Sequence, residues 1–136
     1  MAKETKVLII GSGAVGSVVA NKLADHHAFG KVVVGTNDVR RGKEFLGRSK
    51  KIKLIKLDAS RIPDVVKAAQ DTNLIINASL PDYNLQIMKA ALEVGANYQD
   101  TCSRLKNLKT AEQLRLNKQF RNAGLVGLIN TGVAPG

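Results

Sequence analysis

Six short apolar runs recur along the chain with helix-spaced stretches between them, and this alternation constrains the fold more than any other feature. The runs are residues 6–10, 31–35, 52–57, 73–78, 96–100 and 125–130. Several are nearly continuous Val, Ile and Leu (VLII at 7–10, VVV at 32–34, LII at 74–76), the pattern of strands buried on both faces. Between them, Val15, Val18, Val19 and Leu23 form one helical stripe. Val65, Val66 and Ala69 form a second, Ile87, Ala90, Ala91 and Val94 a third, and Leu108, Ala111 and Leu114 a fourth. Gly42 and Gly47 weaken the helix expected after Thr36. Gly95 and Gly124 suit the left-handed residue that ends a helix, and Pro81-Asp82 suits a helix start. Strands alternating with helices need crossover connections. The expected fold is therefore α/β, with three layers and a mainly parallel six-stranded sheet covered on both faces.

The first run feeds directly into Gly11-Ser12-Gly13-Ala14-Val15-Gly16, which fits G-x-G-x-x-G. Alone that pattern is weak, but here a buried strand precedes it and an amphipathic helix follows. Gly11 permits the tight turn, Gly13 lets the backbone approach a pyrophosphate, and Gly16 lets the helix lie close to the strand. The free N–H groups at the helix start then face the phosphates. This predicts a doubly wound Rossmann domain that binds a dinucleotide. No Lys-Ser/Thr pair follows the glycines, which argues against a nucleoside triphosphatase loop.

The end of the second strand bears on which dinucleotide is held. An NAD site places Asp or Glu there, about 20 residues past the glycines, for the ribose hydroxyls. This chain has Thr36 and Asn37, with an acid only at Asp38 and with Arg40 and Arg41 beyond it. Neutral hydrogen-bonding residues with arginines nearby favour a 2′-phosphate, so NADP is the preferred cofactor and NAD the alternative. Asp58-Ala59-Ser60 closes the third strand, on the adenine side, although Asp58 and Ser60 also read as helix caps. Asn77 and Ala78 close the fourth strand, on the side of the nicotinamide ribose.

Composition removes other classes. At 136 residues the chain makes one domain of ordinary size. No apolar stretch approaches the ~18–20 residues that span a bilayer. One cysteine, Cys102, forms no internal disulfide and no Cys-based zinc site, and a reducing cytoplasmic setting is expected. The net charge is +10, with eight basic residues and one acid between positions 40 and 56. Nucleic-acid binders interleave such charge with stacking aromatics, and aromatics are 4% here with no Trp. The charge is read as solvated faces with attraction for an anionic small molecule, and no nucleic-acid or membrane partner is expected.

Taken together, VLIIGSGAVG, KLDAS, LIINASLPDYN, ALEVGANYQDTCS and GLVGLINTGVAPG resemble the amino-terminal domain of the saccharopine dehydrogenase family over essentially the whole chain. The resemblance implies NAD(P) binding and hydride transfer that oxidises an amino-acid-derived secondary amine to an imine, which water then cleaves. It implies that Ser12, Gly13, Ala14 and Val15 cradle the pyrophosphate, that Thr36, Asn37 and Asp38 meet the adenosine ribose, and that Asp58 and Ala59 flank the adenine. Leu80, Pro81, Asp100 and Thr101 would line the nicotinamide side, with Asn130, Thr131 and Gly132 beneath it. Such enzymes continue past Ala134-Pro135-Gly136 into a substrate domain. The chain is accordingly expected to hold its substrate with a further domain, to be catalytically incomplete alone, and to self-associate, as a homodimer at its simplest, through residues 133–136. Family members often carry Asp or Arg where this chain has Thr36-Asn37.

Tyr98, Asp100, Thr101, Cys102 and Ser103 fall at the carboxyl end of the fifth strand, the edge where open α/β sheets bind ligands. Asp100 is the candidate acid or base for the amine, with Tyr98 as the alternative. Against this, Asp100 reads equally as a helix cap and Cys102 as a small buried filler. His26 and His27 read as surface residues at the end of the first helix. The competing function is a regulatory nucleotide-sensing domain of the potassium-transport type, which uses the same glycine turn.

Overall fold

The computed structural model describes residues 3–104 and 110–132. The chain runs β1 (Thr5–Ile10), α1 (Ala14–Asp25), β2 (Phe29–Thr36), α2 (Val39–Phe45), β3 (Ile52–Lys56), α3 (Ile62–Ala68) and β4 (Leu74–Asn77). It continues through a 3-10 turn (Pro81–Tyr83), α4 (Asn84–Val94), β5 (Asn97–Asp100), a second 3-10 turn (Glu112–Leu116), α5 (Asn117–Asn122) and β6 (Gly127–Leu128). All six strands pair in parallel, in the order β3-β2-β1-β4-β5-β6. Chain order therefore reverses between β1 and β4, and the carboxyl ends of those two strands flank the crevice where doubly wound sheets bind ligands.

Alternation along β1 divides the core. Val7 and Ile9 join Ala20, Ala24, Val32 and Val34 beneath α1. Leu8 and Ile10 face the other way, with Val65, Ile75, Ile87, Tyr98 and Phe120 beneath α3, α4 and α5. Burial on both faces is why these strands read as unbroken apolar runs. Gly95 and Gly124 do take left-handed backbone, at φ +72° and +65°.

Two helical stripes differ from the sequence reading. Val15 and Val18 are more than half exposed, and α1 instead buries Gly16, Ser17, Ala20 and Ala24. A Cβ at Gly16 would collide with the carbonyl of Gly11, so the helix lies too close to the strand for valines on that face. In the fourth stripe, Leu108 lies outside the described residues and Leu114 is exposed, while Gln113, Leu116 and Phe120 are buried. A 3-10 turn followed by an α-helix changes the angle per residue, which moves the buried face. Gly42 does not prevent α2. A Cβ there would press on Ser12 Oγ at 3.0 Å, so glycine lets α2 approach the glycine turn.

Candidate functional site

A cleft of about 970 Å³ opens across the carboxyl ends of β1 to β4. Its floor is the turn Gly11-Ser12-Gly13, and the three glycines of the motif do separate jobs. Gly11 sits at φ +106°, and a Cβ there would lie 2.7 Å from the Ala78 carbonyl oxygen. Gly16 allows the helix–strand approach already described. A Cβ at Gly13 meets nothing within 4 Å, so the protein itself has no need of glycine there and the space lies open in front of the turn. The first N–H groups of any helix lack intrahelical acceptors. In α1 no side chain caps them and no acid stands in the first turn, which leaves donors and a positive dipole end beside Gly13. An open cradle facing unpaired N–H groups fits a pyrophosphate.

At the β2 end, the cleft is lined by Thr36, Asn37, Asp38, Val39 and Arg41, and across the strand by Lys56, Leu57, Asp58 and Ala59. Ser12 Oγ donates to Thr36 Oγ1 at 2.9 Å, and the Asp38 amide donates to the same hydroxyl at 3.2 Å. Asp38 is the N-cap of α2, its carboxylate accepting from the Arg41 amide at 3.0 Å. Of the two arginines, Arg41 and not Arg40 lines the cleft. Asp58 accepts from the hydroxyl and amide of Ser60 at 2.6 and 2.9 Å, and those bonds hold its carboxyl below the usual range.

On the β4 side, Ala78, Ser79, Leu80 and Tyr83 complete the lining. Behind them lies a buried polar network. Asn77 donates to Asn84 Oδ1 at 2.7 Å, and the single proton of the Tyr98 hydroxyl is shared between that atom at 3.1 Å and Asp100 Oδ2 at 2.9 Å. Gln113 Nε2 also donates to Asp100 Oδ2, at 2.9 Å, and the Asn130 amide donates to Asp100 Oδ1 at 2.8 Å. Asp100 is 1% exposed, with both carboxylate oxygens engaged. Burial first, and the Asp100 charge second, push the Tyr98 hydroxyl far above the ordinary tyrosine range. The Asn130 backbone is left-handed at φ +58°. Thr131 donates from both amide and hydroxyl to the Asp100 carbonyl at 3.1 and 2.8 Å, and the Gly132 amide donates to the Thr101 carbonyl at 3.0 Å.

The structure thus brings Gly11, Ser12, Gly13, Thr36, Asn37, Asp38, Asp58, Ala59, Ala78 and Leu80 into one cleft. Ala14, Val15, Gly16, Asn77, Pro81, Asp100, Thr101, Asn130, Thr131 and Gly132 stand outside its lining, and so does Arg40. Lys56 and Tyr83 are lining residues that the sequence reading missed. Lys56 pairs in register with Thr36, so its signal was the residue opposite the second strand's end. Residues 133–136, where self-association was expected, lie outside the described residues. Among the described residues no helix is long and apolar enough to cross a membrane.

Residues 7–128 match the family described as the saccharopine dehydrogenase NADP binding domain. The carboxyaminopropylagmatine dehydrogenase of Synechocystis sp. is 35% identical over 139 residues, covering 96% of this chain and 35% of that protein. The carboxynorspermidine synthase of Vibrio cholerae is 29% identical over 151 residues, covering 96% of this chain and 36% of that one. The chain therefore spans about a third of the length of these relatives. Among solved structures, the apo saccharopine dehydrogenase (L-Glu forming) of Saccharomyces cerevisiae superimposes with a TM-score of 0.80 at 21% identity. That match covers 97% of this chain and 28% of the yeast protein, and at this identity it speaks for the fold.

Proposed function

The chain belongs to the saccharopine dehydrogenase NADP-binding domain family, and from that premise we propose that it holds NADP for an oxidoreductase working at the C–N bond of a carboxy-bearing amine. The observation that carries the proposal is the open space at Gly13 beside the uncapped start of α1. Ser12 and Gly13 take the pyrophosphate, while Asn37, Arg41 and Lys56 take the 2′-phosphate end of the adenosine. Support for NADP over NAD comes from Asp38, whose carboxylate is engaged as a helix cap, and from two cations at the same end of the cleft. Asp58 and Ala59 flank the adenine. Leu80 and Tyr83 lie on the nicotinamide side.

A nicotinamide cofactor held here would supply the hydride chemistry at the carbon of the C–N bond. This chain's own residues bind and orient it. Asp100 is assigned a positioning role, since its enclosed carboxylate fixes Tyr98, Gln113 and the 130–132 segment. The names of two relatives describe a carboxylated polyamine and a carboxylated agmatine derivative, which supports an amine of that type as substrate over saccharopine itself. Substrate recognition is assigned to a further domain. The regulatory potassium-transport reading finds no support in these relatives.

Calorimetric titration of the 136-residue chain tests the cofactor reading. NADPH is expected to bind roughly tenfold more tightly than NADH, a difference of about 1.4 kcal/mol. The fragment 2′,5′-ADP should retain most of that preference. Equal affinities for NADPH and NADH would remove the NADP assignment, and no binding of either would remove the site.

A further inference from the structure

A second depression, of about 420 Å³, lies on the α3 face of the β2–β3 edge. Helix α3 has seven residues and packs through Val65 against Leu8, Ile10 and Ile75, toward the middle of the sheet. It leaves Val33 and Ile55 only half-buried, and with Ala68 they form an apolar floor. Around that floor stand Lys31 from β2, Lys53 and Lys56 from β3, and Lys67 from α3. Among the described residues none of the four ammonium groups has an ion pair or a hydrogen bond. The lone carboxylate of the rim, Asp64, faces Arg61 at 3.7 Å.

Like charges gathered on one sheet face repel and do nothing for the fold. Their joint field raises the local concentration of anions, and a partly apolar floor adds affinity that a solvated lysine face lacks. The size suits a small molecule, and no aromatic side chain lines the depression for base stacking. We propose that this depression is a second ligand site, adjoining the dinucleotide cleft, for a small amphipathic anion. A phosphate or carboxylate group is held by Lys31, Lys53 and Lys67, and an apolar body of a few carbons lies on Val33, Ile55 and Ala68. Lys56 and Leu57 form the wall shared with the cleft. The site stands on its own residues and does not depend on which dinucleotide the cleft takes.

The test is amide NMR of the isotope-labelled chain with the cleft saturated by NADPH, titrated separately with phenyl phosphate, 3-phenylpropionate and inorganic phosphate. Phenyl phosphate or phenylpropionate should give saturable shifts at Val33, Ile55 and Ala68, and whichever binds more tightly identifies the head group. Inorganic phosphate should bind at least roughly tenfold more weakly, because it has no apolar body to bury. The double variant Lys31→Gln/Lys53→Gln alters two exposed residues outside the cleft. It should weaken probe binding by about tenfold or more and leave NADPH affinity unchanged. Shifts confined to residues 11–13, no saturation below about 10 mM, or equal affinity in the double variant would each overturn the site. Inorganic phosphate binding as tightly as phenyl phosphate would overturn its amphipathic character.

Discussion

Ser12 Oγ donates a 2.9 Å hydrogen bond to Thr36 Oγ1, tying the middle of the glycine turn to the last residue of β2. Thr36 stands where a dinucleotide site selective for NAD would place a carboxylate. Its hydroxyl also accepts from the Asp38 amide, which turns the chain into α2 and commits the Asp38 side chain to capping that helix. The β2 end of the cleft is therefore left with Arg41 and Lys56 as its lining cations.

Arg41→Ala and Lys56→Ala should each lower NADPH affinity by roughly three- to tenfold, the effect of losing one exposed charge-assisted contact. NADH affinity should change little, and Arg40→Ala should leave both cofactors unaffected. Raising salt should weaken NADPH more than NADH, because NADPH adds the charged 2′-phosphate contact to the pyrophosphate contact that both share. Titration calorimetry at two ionic strengths decides. A larger loss from Arg40→Ala than from Arg41→Ala would reverse the assignment.

The glycines of the turn separate binding from folding. Gly13 has φ −73° and open space around its missing Cβ, so Gly13→Ala should fold normally. Its methyl would project into the pyrophosphate's place, and NADPH affinity should fall by more than about tenfold, or about 1.4 kcal/mol. Gly16→Ala drives a methyl into the Gly11 carbonyl and should cost about 1–3 kcal/mol of stability. Thermal melts with and without NADPH distinguish the two variants. Unchanged binding by Gly13→Ala would show that the ligand avoids this turn.

The centre of the sheet was legible because two-sided burial writes itself as runs of Val, Ile and Leu in β1, β2 and β4, and all six apolar runs became strands. The inner face of α1 was only partly legible: Val19 and Leu23 pack against the core, but Gly16, Ala20 and Ala24 carry almost no hydrophobic signal beside the exposed Val15 and Val18. Small residues face the sheet there because backbone proximity, and not apolar area, sets the contact. In the site, Gly11, Gly13 and Thr36 could be placed by counting from the glycines. Lys56 could not, because its place depends on the register of β3 against β2. Asp100 looked reactive by position, and only its hydrogen-bond partners revealed that both oxygens are spent on holding neighbours.

Tyr98 makes stability sensitive to alkali. Its hydroxyl is buried beside the Asp100 carboxylate, so its folded-state pKa is raised well above the unfolded value near 10.0. A group whose folded pKa is raised stabilises fully below its unfolded pKa and loses that contribution as pH rises above it. Stability should therefore be flat in this term up to about pH 9.5 and then fall by about 1.4 kcal/mol per pH unit. Tyr98→Phe should be less stable at pH 8 and should lose that alkaline slope. Urea denaturation between pH 8 and 11 reports both, and an identical slope in the variant would place the titrating group elsewhere.

Asp100→Asn is the sharpest test of the buried network. The carboxylate accepts from three donors, Tyr98 Oη and Gln113 Nε2 on one oxygen and the Asn130 amide on the other. An amide side chain presents one oxygen and one NH2, so one set of donors must face a donor in the variant. A flipped Gln113 would turn its Oε1, which has no partner among the described residues, toward the new amide, but its Nε2 would then take that partnerless buried place. With one buried donor left unpaired at about 1–3 kcal/mol and the charge-assisted bonds weakened, Asp100→Asn should cost about 1–3 kcal/mol by urea unfolding. Binding gives the second readout. If Asp100 acts by fixing the 130–132 segment on the nicotinamide side, the variant should lose NADPH affinity by several fold and keep its affinity for 2′,5′-ADP, which has no nicotinamide. Equal losses for both ligands would mean that the network supports the fold alone, and undiminished stability would mean that these hydrogen bonds are not made.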